Sequence, residues 1–440
     1  MRYFYYIFII ILLSSCSFDN KTGIWKNDSI VSEKPKNDFK IFKTINSISS
    51  HSQKVIPIDK KFKFKELNSE ANYSWEDIYF SKNNNFKNFK INGNFELTFK
   101  GKKISSKKID NLLFKNDYFI FTDQSGNIIV FSKELNKVIT KYNFYKKRYK
   151  KIKKKLNVII ENNLLYVSDN LGYLYAFDYT YNRIVWAKNY KVPFRSNIKI
   201  HNNKIITSNQ NNTLYFLNKK NGEKISEIPT EETVLKNQFI NNLSLDNDFS
   251  FFINTFGSLY AINNESMRIM WFLNLSKSLD LNQKTSFFSS PIVSKANRLV
   301  ISTKEFIYVI SQQTGSIIHK INISSNHKPV ILDDYIFIIT SDKFLTTINI
   351  DEGKIIYSYD LNKKISDFLN IKKKEANFKN LMILNSKLVV FLENSFILIF
   401  KINGELEQIR KLPTKISSSA IIIDNSILYL DNKNRLSAID

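Results

Sequence analysis

Cysteine is almost absent from this chain of 440 residues, in which Cys16 is the only one. A single cysteine excludes disulfides within the chain and metal sites built from several thiolates. No serine-nucleophile motif, phosphate-binding loop or HExxH sequence is present, and no pair of carboxylates indicates a general acid and base. The histidines do not have the spacing of metal ligands; they are His51, His201, His319 and His327. We therefore predict no catalytic residue, no metal and no cofactor.

Glycine and proline are also scarce, with 10 and 7 residues. Asparagine pairs stand where turns are expected, at 162–163, 202–203 and 211–212. Asparagine suits such positions because its short side chain tolerates a left-handed backbone and makes local hydrogen bonds. Hydrophobic residues make up 43% of the chain and aromatic residues 14%, which is enough for a folded core.

Acidic residues are in deficit, since 40 Asp and Glu stand against 65 Lys and Arg, giving a net charge of +25. Such a charge often indicates nucleic-acid binding. Here Lys accompanies Asn and Ile in every part of the chain, as in proteins from AT-rich genomes, and we expect no nucleic-acid partner. The densest basic run is 141–155. It is either a solvated strand and loop or a surface for anionic head groups or an acidic partner.

The N-terminus has the pattern of an exported lipoprotein. Arg2 precedes an apolar run at 3–13, which is too short to span a bilayer and suits a signal peptide. Leu13-Ser14-Ser15-Cys16 fits the lipobox of bacterial lipoproteins, in which the cysteine is lipidated. We predict a signal peptide at 1–15, a lipidated and mostly flexible tether at 16–60, and a folded body at 61–440. Ser17 favours the outer membrane. The alternative is an ordinary signal peptide or anchor that contains a cysteine.

The folded body reads as copies of one unit. Residues 171–186 and 257–271 share a Gly turn, an alternating strand, a polar turn and a final strand ending in Trp. These stretches belong to a series of eight units that begin near residues 112, 158, 198, 243, 292, 331, 381 and 420, and the last polar turns recur every 38 to 51 residues. Four short strands at this period predict a β-propeller. A β-sandwich array or tandem β domains would not repeat one strand and turn pattern so regularly.

The eighth unit is incomplete, because the chain stops at Asp440 after its third strand. A suitable polar turn and fourth strand stand at the other end, at 92–93 and 95–99, beyond a loop that holds Trp75. We therefore predict an all-β, eight-bladed propeller in which N- and C-terminal strands complete one blade. Seven blades is the fallback if the last unit packs elsewhere.

The repeat resembles a known family pattern, Ala-x-Asp-x-x-Thr-Gly-x-x-x-Trp, of quinoprotein-like propellers. Ala176, Asp178 and Trp186 match it, and Thr314-Gly315 matches with His319 in the place of Trp. Together with the lipobox, the chain resembles the BamB family of lipoproteins, which belong to the machinery that folds β-barrel proteins into the outer membrane.

This resemblance implies a non-catalytic scaffold on the periplasmic side of the outer membrane, monomeric within a hetero-complex. It would dock through propeller loops onto the periplasmic domains of the barrel-forming subunit. The docking loop of the family maps onto Val192, Phe194 and Arg195, although an Arg beside a tucked Phe would also fit the sequence. A second, acidic loop of the family maps onto 235–242, which contains no acidic residue.

Two other functions remain open from the sequence. Quinone-dependent dehydrogenases with similar repeats hold their cofactor against a Trp and a Ca²⁺ site, often beside paired cysteines. This chain has one cysteine and only Trp186 and Trp271 among its repeats. A propeller that binds a cell-envelope ligand at its mouth is the other alternative, and no residue pattern supports it.

Overall fold

In a computed structural model, the described residues are 17–18, 25–26, 54–65, 68–232, 241–276, 287–370, 372 and 375–440. The chain divides into a unit at Met1–Ser49 and a unit at Ser50–Asp440. In the first unit, Ser17–Phe18 (β1) pairs antiparallel with Trp25–Lys26 (β2). The predicted signal peptide and lipidation site, Cys16, lie outside the described residues. Within those residues, no helix has the length and apolar character needed to cross a bilayer.

The second unit is built mainly of short antiparallel strands. In chain order they are Asn88–Phe89 (β3), Leu97–Lys103 (β4), Ile109–Lys115 (β5), Tyr118–Asp123 (β6), Asn127–Ser132 (β7), Lys137–Asn143 (β8), Leu156–Glu161 (β9), Leu164–Asp169 (β10), Tyr173–Asp178 (β11), Arg183–Asn189 (β12), Lys199–His201 (β13), Lys204–Ser208 (β14), Leu214–Asn218 (β15), Lys224–Ile228 (β16), Asn242–Leu245 (β17), Phe249–Ile253 (β18), Ser258–Asn263 (β19), Ile269–Asn274 (β20), Val293–Lys295 (β21), Arg298–Ser302 (β22), Ile307–Ser311 (β23), Ile317–Ile321 (β24), Val330–Leu332 (β25), Tyr335–Ile339 (β26), Phe344–Asn349 (β27), Ile355–Asp360 (β28), Phe378–Leu384 (β29), Lys387–Leu392 (β30), Phe396–Lys401 (β31), Leu406–Lys411 (β32), Ile421–Ile423 (β33), Ser426–Leu430 (β34) and Arg435–Ile439 (β35). A helix, Leu361–Leu369 (α1), follows β28, and a 3₁₀ turn at Lys147–Tyr149 follows β8.

These strands form eight consecutive blades among the described residues. Blades 1 to 7 take four successive strands each, from β5 to β32, and blade 8 contains β33, β34, β35 and β4. The predicted all-β, eight-bladed propeller is therefore confirmed, and the seven-bladed fallback is wrong. β3 adds a short parallel strand to the β29 edge of blade 7.

Burial follows strand position within each blade. In β11 five of six residues are buried, whereas β12 alternates exposed and half-buried residues. The inner strands are apolar on both faces because each blade is packed between two neighbours, while the outer strand faces water on one side. This is why the third strand of a repeat has a nearly continuous apolar sequence and the fourth strand alternates.

The last turn of each unit has a left-handed residue, as the repeat spacing indicates. Positive φ angles occur at all seven marker positions, which are Asn136, Asn182, Gly222, Met267, Gly315, Gly353 and Gly404. Glycine and asparagine account for six of them, in line with their low cost in this conformation. The register deduced from the sequence therefore holds from blade 1 to blade 7.

Aromatic side chains join neighbouring blades at these turns. The Trp186 indole of blade 2 lies over Gly222 of blade 3, and its Nε1 donates a hydrogen bond of 3.1 Å to the Lys219 carbonyl. A Cβ on Gly222 would lie 2.4 Å from the indole, so only glycine fits there. The same contact recurs between Trp271 and Gly315, His319 and Gly353, and Tyr357 and Gly404. His319 thus occupies the Trp position of the repeat, as the sequence alignment of the units indicates.

Blade 8 combines both ends of the propeller sequence. β4 pairs antiparallel with β35, so that Phe99 faces Ala438 and Leu97 faces Ile439. The backbones of Glu96 and Asp440 exchange two hydrogen bonds of 3.1 Å. The strand begins two residues later than the sequence suggests because Phe95 has a positive φ of 58°.

A segment at residues 70–92, here called the axial segment, fills the centre of the propeller. It contacts the innermost part of every blade in one circuit, from blade 8 through blades 1 to 7 and back to blade 8. In that order its partners are Ile422, Phe114, Ile160, Lys199, Leu245, Ser294, Ile331, Leu384 and Asn425. The sequence indicates only a loop around Trp75 in this region.

Residues 54–65 also lie on the propeller. Ile56 exchanges backbone hydrogen bonds of 2.9 and 2.8 Å with Ser358 of blade 6. The Phe64 ring packs edge to face against Tyr335 at 4.8 Å, and Lys65 pairs with Asp334 at 2.7 Å. The last residues of the predicted tether, from 54 to 60, are therefore held against blade 6.

Candidate docking site

The predicted docking residues Val192, Phe194 and Arg195 lie on a loop, residues 190–196, that connects β12 of blade 2 to β13 of blade 3; we call it the docking loop. Backbone hydrogen bonds fix it to both blades. Tyr190 donates to the Gly172 carbonyl at 2.8 Å and Phe194 to the Asp169 carbonyl at 2.9 Å, both in blade 2. Arg195 donates to the Ser208 carbonyl of blade 3 at 2.9 Å. The loop is thus held in one conformation by its backbone.

Phe194 is buried within this loop and only 2% exposed. Its ring lies 5.5 Å from Tyr190 and 6.2 Å from Tyr215, both in edge-to-face geometry. Val192 and Arg195 are half-buried. The structure therefore has the tucked arrangement that the sequence left open, in which Phe194 supports the loop and Val192 and Arg195 reach the surface. Burial lowers the pKa of Arg195.

A turn of blade 2 at residues 169–172 accepts backbone hydrogen bonds from the docking loop. The buried Asp169 carboxylate accepts backbone hydrogen bonds of 2.8 Å from both Leu171 and Tyr173. It also accepts a hydrogen bond of 2.5 Å from the Tyr145 hydroxyl. Burial raises the pKa of Asp169, against the effect of these hydrogen bonds. Because Asp169 also holds Phe194 through its carbonyl, this turn and the docking loop form one rigid unit.

The same turn also forms hydrogen bonds with the C-terminal end of the basic run 141–155. Asn170 accepts a hydrogen bond of 2.9 Å from the Lys155 backbone and donates one of 3.0 Å to the Lys153 carbonyl. Lys155 is exposed, and partial desolvation of its ammonium, followed by the positive charge of Arg195, lowers its pKa. The basic run and the docking loop therefore lie side by side on one edge of blade 2.

A separate cavity of about 520 Å³ opens at the propeller axis. Its walls come from blades 1, 5, 6, 7 and 8, and its lining includes Trp75 and Phe86 of the axial segment. Lys328 donates to the Tyr79 and Asn84 carbonyls at 3.3 and 2.6 Å, and Lys379 donates to the Ser417 carbonyl at 2.6 Å. The amino groups of both lysines therefore already donate hydrogen bonds to backbone carbonyls of the protein.

The residues around the axis do not fit a quinone and calcium site. Among the described residues, no group of three or more His, Cys, Asp or Glu side chains could hold a metal ion. The axial segment also occupies the channel with aromatic packing, in which Trp75 lies 4.8 Å from Phe80 and 5.7 Å from Phe89. Asp77 at this level pairs with the buried Lys199 at 2.7 Å rather than facing a cavity.

The axial contacts involve residues that the sequence did not single out. Lys199 is fully buried, and its ammonium donates to Asp77 Oδ2, the Ser81 carbonyl and Asn84 Oδ1 at 2.7, 2.8 and 2.6 Å. Burial lowers the pKa of Lys199. One sequence feature could have indicated this buried pairing, namely a lysine between the isoleucines of Asn197-Ile-Lys-Ile. A charged residue in an inner strand requires a partner.

Eight blades, aromatic contacts between successive blades and a family repeat pattern define a quinoprotein-like β-propeller. The sequence model of the family described as outer membrane protein assembly factor BamB matches residues 144–359 and 255–440. These matches cover more than half of the chain, and the chain belongs to this family.

Solved structures agree with this fold. The crystal structure of BamB from Moraxella catarrhalis is similar with a TM-score of 0.61 and 12% identity, covering 78% of this chain and 99% of that chain. Quinohemoprotein alcohol dehydrogenase from Comamonas testosteroni has a TM-score of 0.62 and 9% identity, covering 84% and 81%. The computationally designed Ika8 protein has a TM-score of 0.58 and 10% identity, covering 77% and 98%. No curated protein sequence matches the chain.

Proposed function

We propose that this protein is a non-catalytic scaffold lipoprotein of the outer-membrane β-barrel assembly machinery. Its propeller lies on the periplasmic side of the outer membrane, is anchored through a lipid on Cys16, and acts as a monomer within a hetero-complex. It docks onto the periplasmic domains of the barrel-forming subunit through Val192 and Arg195, with Phe194 fixing the loop from inside. The observation that carries this proposal is the BamB family match, which includes the docking loop.

The geometry of the loop supports a docking role. Its backbone is fixed by hydrogen bonds to two blades, and Phe194 is packed within it. A rigid loop loses little conformational entropy on binding, so its side chains can contribute more of their interaction energy to affinity. Arginine beside an apolar residue is a frequent composition at interface anchors.

A quinone-dependent enzyme is the main alternative, since alcohol dehydrogenases share the fold. The poor fit of the axial residues to a quinone and calcium site argues against it. A role in binding a cell-envelope ligand at the axial cavity is also less favoured, because Lys328 and Lys379 are committed to backbone carbonyls.

The docking proposal is tested by Arg195→Glu, with Phe194 left unchanged because it is buried. We expect this charge reversal to reduce co-purification with the barrel-forming subunit from solubilised outer membranes. Arg268→Glu is the matched control, because Arg268 is exposed at the last turn of blade 4. Equal recovery of the subunit with both variants would reject this loop as the docking site.

The anchor is tested by Cys16→Ser. We expect unprocessed precursor or release from the outer-membrane fraction, because each buried acyl CH₂ contributes about 0.8 kcal/mol to membrane affinity. Normal processing with unchanged membrane fractionation would contradict lipidation at Cys16.

A further inference from the structure

The basic run is a fixed part of the blade 2 surface rather than a free tail. Lys154 is buried, and its Nζ donates a hydrogen bond of 2.5 Å to the Tyr149 carbonyl. The Tyr149 and Tyr173 hydroxyls lie 3.3 Å apart, and the Phe144 ring stacks on Tyr175 at 4.5 Å. Together with the Asn170 hydrogen bonds, these contacts hold the backbone of residues 144–155 against the blade.

Seven charged residues of this run, between positions 146 and 155, are exposed, whereas Lys154 is buried. We call the cationic face the set formed by the exposed Lys146, Lys147, Arg148, Lys150, Lys151, Lys153, Lys155 and Lys191 together with the half-buried Arg195. Residues 141–155 and 187–199 contain no Asp or Glu. Within the described part of the chain, none of the seven exposed cations between 146 and 155 forms an ion pair.

Holding so many like charges together is unfavourable for the isolated protein. Repulsion between neighbouring cations through water raises the free energy by a modest amount for each pair. The approach of an oppositely charged group removes this repulsion. The turn at 169–172 contacts the backbone of Lys153 and Lys155 on one side and that of Tyr190 and Phe194 on the other. A molecule bound at the docking loop would therefore lie next to the end of the cationic face that contains Lys155.

We infer that the cationic face binds an acidic segment of the same protein partner that docks at Val192 and Arg195. This inference rests on the proposed docking function and adds the chemistry of the partner. Charge complementarity selects an acidic segment, and the shared turn places it next to the anchor. The alternative is an anionic bilayer. It is less favoured because Ile152, 43% exposed, is the single strongly exposed large apolar residue in the run, whereas interfacial segments bury a larger apolar face.

Site-specific photo-cross-linking identifies what touches the face. Benzoylphenylalanine is introduced in place of Lys151 and, separately, in place of Val192 in the full-length protein in cells. We expect both positions to cross-link to one protein, with an Asp- and Glu-rich peptide captured from position 151. Capture of lipid alone, of a peptide without acidic residues, or of a different protein at position 151 would overturn the inference.

The same experiment separates the two proposals. If position 192 captures a protein other than the barrel-forming subunit, the proposed docking function fails, and the acidity of the peptide captured at position 151 still decides the inference. If position 192 captures the barrel-forming subunit and position 151 does not, the docking function stands and the inference is wrong.

Charge reversal provides a quantitative test. In one variant Lys147, Arg148, Lys150 and Lys151 are changed to Glu, and in the control Lys100, Lys102, Lys103 and Lys107 of blade 8 are changed to Glu. We expect the first variant to associate with the captured partner at least about tenfold more slowly, and the control to associate at a rate near that of the unchanged protein. Raising salt from about 0.1 M to about 1 M should remove the difference, because the Debye length falls from about 10 Å to about 3 Å.

The bilayer alternative is tested with the same two variants. Sedimentation with phosphatidylglycerol vesicles should show similar recovery for both, since their net charges are equal. A selective loss of vesicle binding in the 147–151 variant, with partner association unchanged, would assign the face to lipid and refute the inference.

Discussion

At the scale of single residues, the contact between Trp186 and Gly222 shows how neighbouring blades are joined. The indole contributes apolar area and a hydrogen bond to the Lys219 carbonyl, and the glycine provides both space and a left-handed backbone with φ of 68°. The cost of replacing Gly222 depends on Trp186, because a Cβ at position 222 would overlap the indole. The pair therefore acts as one structural unit across two blades.

A double-mutant cycle tests this coupling. We expect Trp186→Ala to lower the free energy of unfolding by about 3 kcal/mol, at the low end for a large aromatic because Trp186 is half-buried. Gly222→Ala should cost about 3 kcal/mol in the unchanged protein through overlap and backbone strain. In the Trp186→Ala background it should cost only the strain, about 1 kcal/mol. Urea unfolding measures all four proteins, and equal costs of Gly222→Ala in both backgrounds would contradict the contact.

Lys328 is a second residue whose environment gives a specific expectation. Burial is the main cause that lowers its pKa well below the usual value, and the charge of Lys199 adds to this effect. Its Nζ lies 3.3 Å from the centre of the Phe86 ring. A lysine with a lowered pKa in the folded state binds fewer protons there than in the unfolded state, so stability rises with pH between the two pKa values.

The variant Lys328→Met tests whether stability rises with pH as this lowered pKa predicts. The variant lacks the titrating group, so the stability of the unchanged protein should increase relative to the variant as pH rises from 7 towards the ordinary lysine pKa of about 10.4. Urea unfolding of both proteins at pH 7 and pH 10 gives the difference, in which titrations remote from Lys328 cancel. A constant difference would mean that Lys328 keeps an ordinary pKa in the folded protein.

At the scale of elements, the axial segment connects all eight blades without forming a regular strand over most of its length. Its asparagines take the place of strand pairing. Asn84 is fully buried and donates to the Leu243 and Ile292 carbonyls, both at 2.8 Å, and Asn85 donates to the Ile331 carbonyl at 2.7 Å. These carboxamides give hydrogen-bond partners to buried backbone carbonyls of blades 4, 5 and 6. The Leu243 carbonyl also accepts a hydrogen bond of 3.0 Å from Asn197 Nδ2.

Asn84→Ala should therefore be costly although Asn84 belongs to no strand or helix. The change removes two donors to buried carbonyls and one acceptor of the Lys199 ammonium, and we expect a loss of about 3 kcal/mol in unfolding free energy. Asn432→Ala, at an exposed turn of blade 8, is the control and should stay within about 0.5 kcal/mol. A small effect of Asn84→Ala in urea unfolding would show that the axial segment is not part of the cooperative core.

The contrast between blades and axial segment explains how far the sequence predicts this fold. Blade strands repeat with period two and end at left-handed turns such as Asn182 and Gly222, so local patterns reveal them. The axial segment occurs once, and its partners on the blades are distant in sequence, 39 residues away for Lys115–Glu76 and 350 residues away for Asn72–Ile422. No local pattern records such contacts. The predicted docking loop is an intermediate case, because the family resemblance indicated Val192, Phe194 and Arg195 but did not indicate the burial of Phe194.

At the scale of the whole molecule, blade 8 joins residues that are 329 and 340 positions apart. Thr98 Oγ1 donates to the Ala438 carbonyl at 3.3 Å, and Asn434 donates to the Ser105 carbonyl at 3.0 Å. Without β35, the outer strand β4 would lose its only neighbour in this sheet order, and both β4 and β34 would expose unpaired edges.

Removal of residues 435–440 tests the role of this blade. We expect aggregation or loss of a single cooperative unfolding transition, because the ends of the repeat array are released together. Hydrogen exchange should show that amides of β4 lose protection in the truncated protein. Retained protection of β4 together with a single sharp transition would mean that the ring does not depend on this pairing.

The sequence by itself determined the number of blades, their register, the left-handed turns and the aromatic position that joins blade to blade. Each of these features depends on neighbours within a few residues and recurs in every unit, so repetition reinforces a weak local signal. Tertiary structure alone decided the path of the axial segment, the pairing of Lys199 with Asp77, the burial of Phe194 and the position of the cationic face beside the docking loop. These features depend on which distant side chains the closed ring brings within hydrogen-bonding distance, and the free energy of burying a charge or an aromatic ring is settled only by those partners.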